Sequence, residues 1–249
     1  MKRLYILLAS IISVLVATGC TAVDAHNHSS IEVSLFDTLR LDDFLAEDSE
    51  FASAKKEVLA AQLNAPWSFY VEVNAPENKS QAIDSCRSYF AVDDQWEPIK
   101  PHEYTVYRAV GLSCLAVQQA LSMRDSDKSF VRDLVFDKTL ANKLPGEVAL
   151  VISSEERKRL DKNPDIQFWS DVEKILSVEQ LDTDVYHYKT EGVNHHLKRL
   201  ALGDVNDDGI EDLLIRDDVT LDEGSYSASR LFVLTKRSAQ GKIEVLNSF

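Results

Sequence analysis

Apolar residues along this chain follow one rhythm in the first two thirds and another in the last. Over 39–63 they recur at three- and four-residue intervals (Leu41, Phe44, Leu45, Phe51, Val58, Leu59, Leu63), with acids and lysines between them, and that spacing predicts a helix. Asn64-Ala65-Pro66 ends it, because a residue before proline is pushed out of helical geometry. Residues 67–73 then alternate as a strand does (Trp67, Phe69, Val71 and Val73 against Ser68, Tyr70 and Glu72). A short helix is expected over 79–91, carrying Cys86. After the turn marked by Pro98 and Pro101 comes a longer helix over 103–123, with Tyr107, Val110, Cys114, Val117 and Leu121 on one stripe. Polar residues interrupt that helix every few positions, so its apolar face suits a core rather than a membrane.

Residues 129–136 are strand-like, Pro145-Gly146 punctuates, and Ser153-Ser154-Glu155-Glu156 offers a capping box for a helix reaching about 161. Another short helix is expected over 169–178. The runs then shorten to 185–190, 196–202, 211–216, 229–236 and 242–246, each apolar or alternating and each bounded by turn residues. The expected fold class is α+β: a helix-rich stretch, 36–178, packed in one body with a C-terminal antiparallel β-meander, 179–249.

The chain opens differently. Met1-Lys2-Arg3 is a short positive segment, and 4–17 is an apolar run too short for a comfortable bilayer crossing. It closes on Ala17-Thr18-Gly19-Cys20. This resembles the lipobox of bacterial lipoproteins, although Ala17 stands where leucine is commoner. The resemblance implies a signal peptide over 1–19, cleavage before Cys20, a diacylglycerol on the Cys20 thiol and acyl chains such as palmitate as a membrane anchor. Thr21, not aspartate, follows the cysteine, which implies the outer membrane and its periplasmic leaflet. Residues 20–35 then serve as a tether; His26 and His28 within it fit a solvated linker better than a metal site. In that oxidising compartment Cys86 and Cys114 are the two remaining thiols, either a disulfide or a pair of buried free thiols. Bonded, they close a loop of about 29 residues and contribute ~3.6 kcal/mol by the chain-entropy argument.

Composition narrows the partners. The 249 residues carry a formal charge of −14, and loss of Lys2 and Arg3 with the leader makes this about −16. Such a surface repels nucleic acid and anionic head groups and suits divalent cations or a basic periplasmic protein. A plainly solvated acidic surface, which keeps the protein soluble, accounts for it better than either.

One segment carries candidate chemistry. In 204–212, oxygen-bearing side chains stand at the first, third, fifth and ninth places (Asp204, Asn206, Asp208, Asp212), and Gly209 follows the fifth, where the backbone must turn around an ion. Calcium takes six to eight oxygens, so alternate side chains in a tight loop suit it, with the Ile210 carbonyl as a backbone ligand. An EF-hand is excluded, because its twelfth place needs glutamate and holds Ile215 here. The segment resembles the Asp-x-Asn/Asp-x-Asp-Gly-x-x-Asp loop of integrin-type FG-GAP and VCBS repeats, which joins two strands. The resemblance implies a strand–loop–strand calcium site with Asp204, Asn206, Asp208 and Asp212 as side-chain ligands and a structural role. No second copy occurs at any period, so a propeller is excluded.

No Gly-x-Ser-x-Gly elbow, His-Glu-x-x-His pair or phosphate-cradling glycine loop is present. His195-His196 would point to opposite faces of a strand and read as surface or edge residues. Asp93-Asp94 and Asp217-Asp218 read as solvated turns, and Trp67, Trp96 and Trp169 as core or half-buried anchors. The reading is a non-enzymatic, outer-membrane-anchored binding or accessory lipoprotein. Its competitors are an inhibitor or immunity protein against a basic periplasmic enzyme, and an envelope enzyme with an unrecognised site.

Overall fold

The computed structural model describes residues 30–41, 44–46, 55–75, 79–92 and 96–249. The expected signal peptide, Cys20, Thr21, His26, His28, Phe51 and Asp93-Asp94 lie outside the described residues.

In chain order the elements are β1 (Ser34–Leu35), α1 (Lys56–Gln62), β2 (Val71–Ala75), β3 (Lys79–Ile83), α2 (Cys86–Phe90), α3 (Tyr104–Ser122), β4 (Lys128–Ser129), α4 (Ser154–Asp161), β5 (Ser177–Asp182), β6 (Val185–Lys189), β7 (Val193–Gly203), β8 (Ile210–Leu221), β9 (Ser227–Lys236) and β10 (Ile243–Ser248). Strands β5 to β10 form a meander in the order β10-β9-β8-β7-β6-β5, every neighbour antiparallel. β1 pairs with the far half of β7, and β4 runs parallel to the start of β8. The molecule is therefore mixed helix and antiparallel sheet, with a C-terminal meander and neither a closed barrel nor a propeller among the described residues.

α3 forms where the stripe predicted it. Tyr107, Val110, Cys114 and Val117 are buried, and Leu121 packs against the same core. This helix lies on one face of the meander and meets Leu200, Leu214, Leu231 and Val233, together with α1, β2 and β3. Gly111 lets the Tyr89 ring lie against α3, since a Cβ there would stand 2.3 Å from that ring and force it to move. Cys86 and Cys114 lie at disulfide distance, 28 residues apart, and tie α2 to α3. The opposite face is covered by the irregular segment before the meander: Val131, Phe136, Leu140, Leu144, Val148 and Trp169 pack onto Tyr188, Leu197, Leu213, Ile215 and Phe232. At ~25 cal/mol per Å² of apolar surface removed from water, burial on both faces is the main term holding the sheet.

Several expectations need correction. Helix-richness over 36–178 is not confirmed: among its described residues α3 is the one long helix, and α1 takes 56–62 of the expected 39–63 span, of which 42–43 and 47–54 lie outside the described residues. Residues 79–91 divide into β3 and the five-residue α2, because Ser85 caps the helix and stops it from running further back. Of 129–136 only Ser129 is strand, and 169–178 holds a single 3₁₀ turn, Trp169–Asp171, before β5 begins at Ser177. The sheet covers these segments, so their apolar residues need contact rather than a regular repeat. α4 has half of its expected capping box: the Ser153 hydroxyl accepts the Glu156 N–H at 3.4 Å, while the Glu156 carboxylate pairs with Arg159. The final residues of the 20–35 tether are docked: Ile31 bridges Ser126 and Ser34 pairs with Leu202. Among the described residues no helix is long and apolar enough to cross a membrane.

Candidate functional site

The acidic loop joins β7 to β8, with strands on both sides, and two left-handed residues turn it: Asp207 (φ 62°) and Gly209 (φ 76°). A second segment clamps it from outside. Arg124 and Asp204 exchange both backbone hydrogen bonds (2.9 and 2.8 Å), while the Asp127 and Lys128 N–H groups both donate to the Gly209 carbonyl (2.9 and 3.1 Å). A Cβ at Gly209 would meet the Asp127 carboxylate at 3.1 Å. Sequence order brings the loop residues together and long-range pairing fixes their shape.

Within the loop the side chains accept in steps. Asp204 Oδ2 accepts Gly209 N–H at 2.7 Å and Oδ1 accepts Asn206 N–H at 3.1 Å. Asn206 Oδ1 accepts Asp208 N–H at 3.2 Å, and Asp208 Oδ1 accepts Ile210 N–H at 2.9 Å. The Asn206 amide also donates to Asp208 Oδ2 at 3.1 Å. Asp212 reaches back from β8, where its Oδ2 accepts Val205 N–H at 3.0 Å. The Thr235 hydroxyl stands beside the carboxyl and favours its charged form, while no protein cation among the described residues reaches it. Burial, with Asp208 and Asp204 adding like charge, pushes the Asp212 carboxyl up to about 6.

Of the five expected ligands, Asp204, Asn206 and Asp208 thus lie in the loop and Ile210 and Asp212 at the start of β8, with Asp204 and Asp212 buried. Among the described residues no three His, Cys, Asp or Glu side chains are gathered so as to hold a metal by themselves. A cation at this place therefore depends on the Asn206 amide oxygen and the Ile210 carbonyl as well as on the carboxylates.

The other acids of β8 are each matched by a cation. Glu211, fully buried, is paired with Arg132 and accepts the Ser129 hydroxyl at 2.6 Å. Asp218 accepts Arg216 Nε at 2.7 Å and Lys198 Nζ at 2.9 Å, which hold its carboxyl below its ordinary value against the opposing effect of burial. Asp217, fully buried, takes His195 Nδ1 at 2.9 Å and the Arg230 guanidinium on one oxygen. His195 Nε2 lies 3.2 Å from Glu173, which also accepts the Trp169 indole N–H. Burial alone would lower the His195 pKa, but the Asp217 and Glu173 contacts outweigh it and raise it to about 9. Arg230 continues outward to the Val148 and Ala149 carbonyls at 2.6 and 2.9 Å.

This corrects two expectations. His195 is fully buried rather than at a surface, because it alternates with Leu197 on the covered face; His196 does point the other way, stacked on His187 at 4.9 Å. Asp217-Asp218 lies mid-strand, not in a turn, because Asp217 alternates with Ile215 and Val219. The tryptophans fall as expected: Trp67 and Trp169 are buried, and Trp96 packs partly buried against the first core. No nucleophile joins the Glu173–His195–Asp217–Arg230 cluster in its recorded hydrogen bonds, and the arrangement fastens the covering segment to the sheet.

No family model, no curated protein and no solved structure matches this chain, so its own residues carry the functional argument.

Proposed function

We propose that this protein is exported, lipidated at Cys20 and held at the periplasmic face of the outer membrane. There it acts as a non-enzymatic binding or accessory module whose C-terminal sheet is pinned by one Ca²⁺ in the 204–212 loop. The carrying observation is the charge account of β8. Four acids lie on that strand, three have a protein cation, and Asp212 has none among the described residues, although it is fully buried: the Val205 N–H and the Thr235 hydroxyl are what meet it. Asp204, 4% exposed, is likewise met only by backbone N–H groups. Buried carboxylates without a counter-charge are costly, and a hard divalent ion with oxygen ligands is the charge that fits them.

In this reading Asp204, Asn206, Asp208 and Asp212 supply side-chain oxygens and Ile210 its carbonyl. The ion supplies positive charge and fixes the register of the β7–β8 hairpin. Support for the location is the 1–20 segment with its lipobox-like Ala17-Thr18-Gly19-Cys20. The partner is an envelope component or a basic periplasmic protein, in keeping with the acidic surface, and nucleic acid is not among the partners.

The test has two arms. Cells fed an alkyne-bearing palmitate should incorporate label into the wild-type chain and not into Cys20→Ser, with the label in the outer-membrane fraction; equal labelling of both would remove the anchor. Titration of the chelator-treated protein with Ca²⁺ should show one saturable site, and its absence up to 10 mM would remove the calcium reading, since modules of this kind bind at about 10⁻⁴–10⁻³ M.

A further inference from the structure

α3 packs closely on the sheet through its middle and C-terminal turns, where Val110, Cys114, Val117 and Ala120 are buried, but its first turns stand away from it. A cleft of about 760 Å³ opens there, between α3 and the end of the β8–β9 hairpin. That volume falls within the range of about 300–1,000 Å³ typical of small-molecule sites. Leu112 and Val219 form part of its apolar floor, and Tyr89, Tyr104, Tyr226 and Phe249 contribute rings. Tyr104, Tyr226 and Phe249 remain 47%, 37% and 39% exposed, so three large apolar side chains converge on one opening without covering one another.

The charges in the cleft are asymmetric. Asp218 lines it, but its carboxylate is already engaged by Arg216, Lys198 and, at 2.5 Å, the Ser229 hydroxyl. Arg108, one turn into α3, also lines it and is exposed; among the described residues no hydrogen bond or ion pair is recorded for its guanidinium. In a chain of formal charge −14, an uncommitted cation beside a satisfied acid is complementary to an anion. A guanidinium fork matches a carboxylate in two parallel hydrogen bonds, and ring faces favour a flat apolar body.

We propose that this cleft binds a small amphipathic anion, a ring-bearing apolar molecule with one carboxylate, whose acid is taken by Arg108 and whose rings lie among Tyr104, Tyr226 and Phe249. The site is separate from the 204–212 loop and needs neither the calcium nor the lipid.

Photolabelling of the full-length chain tests it, with para-benzoylbenzoate as the anionic probe, benzophenone as its neutral counterpart, and mass spectrometry to locate the adducts. The expected result is saturable para-benzoylbenzoate labelling confined to peptides from 104–115 and 226–229 and the C-terminal peptide that carries Phe249. Arg108→Gln, an exposed change that leaves the core alone, should raise the half-saturating concentration about tenfold, to that of benzophenone, as expected for one charge-assisted contact. Tyr226→Ala, also exposed, should weaken both probes. Adducts scattered elsewhere or failing to saturate overturn the site. Equal labelling by the two probes, or an Arg108→Gln protein indistinguishable from wild type, overturns the anion and leaves a neutral apolar occupant in its place.

Discussion

The middle of the β7–β8 hairpin and its tip both bury acids, and they differ in how the charge is met. In the middle, Asp217 faces His195 diagonally across β7 and Arg230 directly across β9, so adjacent strands bring two cations to one carboxylate. At the tip, Asp204, Asp208 and Asp212 meet backbone N–H groups, the neutral Asn206 and Thr235 side chains, and one another. Three strands side by side can supply a partner from either neighbour. A loop that turns back within nine residues supplies its own backbone N–H groups and the Asn206 amide, and the Arg124 guanidinium beside it reaches the exposed Asp207 at 2.8 Å. The first arrangement brings protein cations to its carboxylate, and the second, among the described residues, brings none.

Breaking the middle should have the largest effect. Asp217→Ala leaves Arg230 and His195 without their shared acceptor in a buried setting, and a loss of about 3–5 kcal/mol is expected in urea unfolding. A loss below about 1 kcal/mol would show that the cluster does not fasten the 148–173 segment to the sheet. A pH series comes next. The folded-state His195 pKa, about 9, lies above its ordinary 6.5, so the folded protein holds this proton more tightly than the unfolded chain. The contribution is therefore fully present below about pH 6.5 and is lost as pH rises through 9. It amounts to about 3 kcal/mol. Melting temperature should fall across that window in wild type and stay nearly flat in His195→Gln; parallel curves would mean that other groups carry the dependence.

The same contrast governs what could be read from residue order alone. β6 to β10 and the loop were legible because their signals are local: alternation, turn residues, and oxygens at fixed steps around Gly209. α3 was legible because its stripe persists for five turns. The Glu173–His195–Asp217–Arg230 cluster was not, since its members come from four separate segments and nothing in the order of residues says that they meet. A signal was nonetheless present: His195 shares a face with Leu197, and Asp217 with Ile215 and Val219, so period-two alternation placed both inward. The covering segment 131–175 misled in the opposite direction. Its apolar residues suggested regular elements, yet Val131, Leu140, Leu144 and Trp169 need only reach the sheet from turns and short 3₁₀ pieces. Tertiary contact replaced local repetition there.

The smallest expected effects sharpen the comparison at the tip. With a dissociation constant of 10⁻⁴–10⁻³ M, 10 mM Ca²⁺ should stabilise the wild-type protein by about 1.4–2.7 kcal/mol, or about 3–10 °C in melting temperature. Asp208→Ala should lose most of that increment, and equal shifts in mutant and wild type would count against the ligand assignment. Asp212→Asn separates the ion from the fold. Its amide oxygen can still accept Val205 N–H, and its NH₂ can donate to the Thr235 hydroxyl oxygen, while the buried negative charge is gone. In chelator this variant should therefore melt above wild type, and in 10 mM Ca²⁺ below it. If it melts below wild type in both, the Asp212 charge is already compensated within the protein and the tip resembles the middle after all. A crossing of the two orders on adding calcium is the result that a structural ion demands, because only a ligand bound to the native loop can turn the least favourable acid of β8 into a stabilising one.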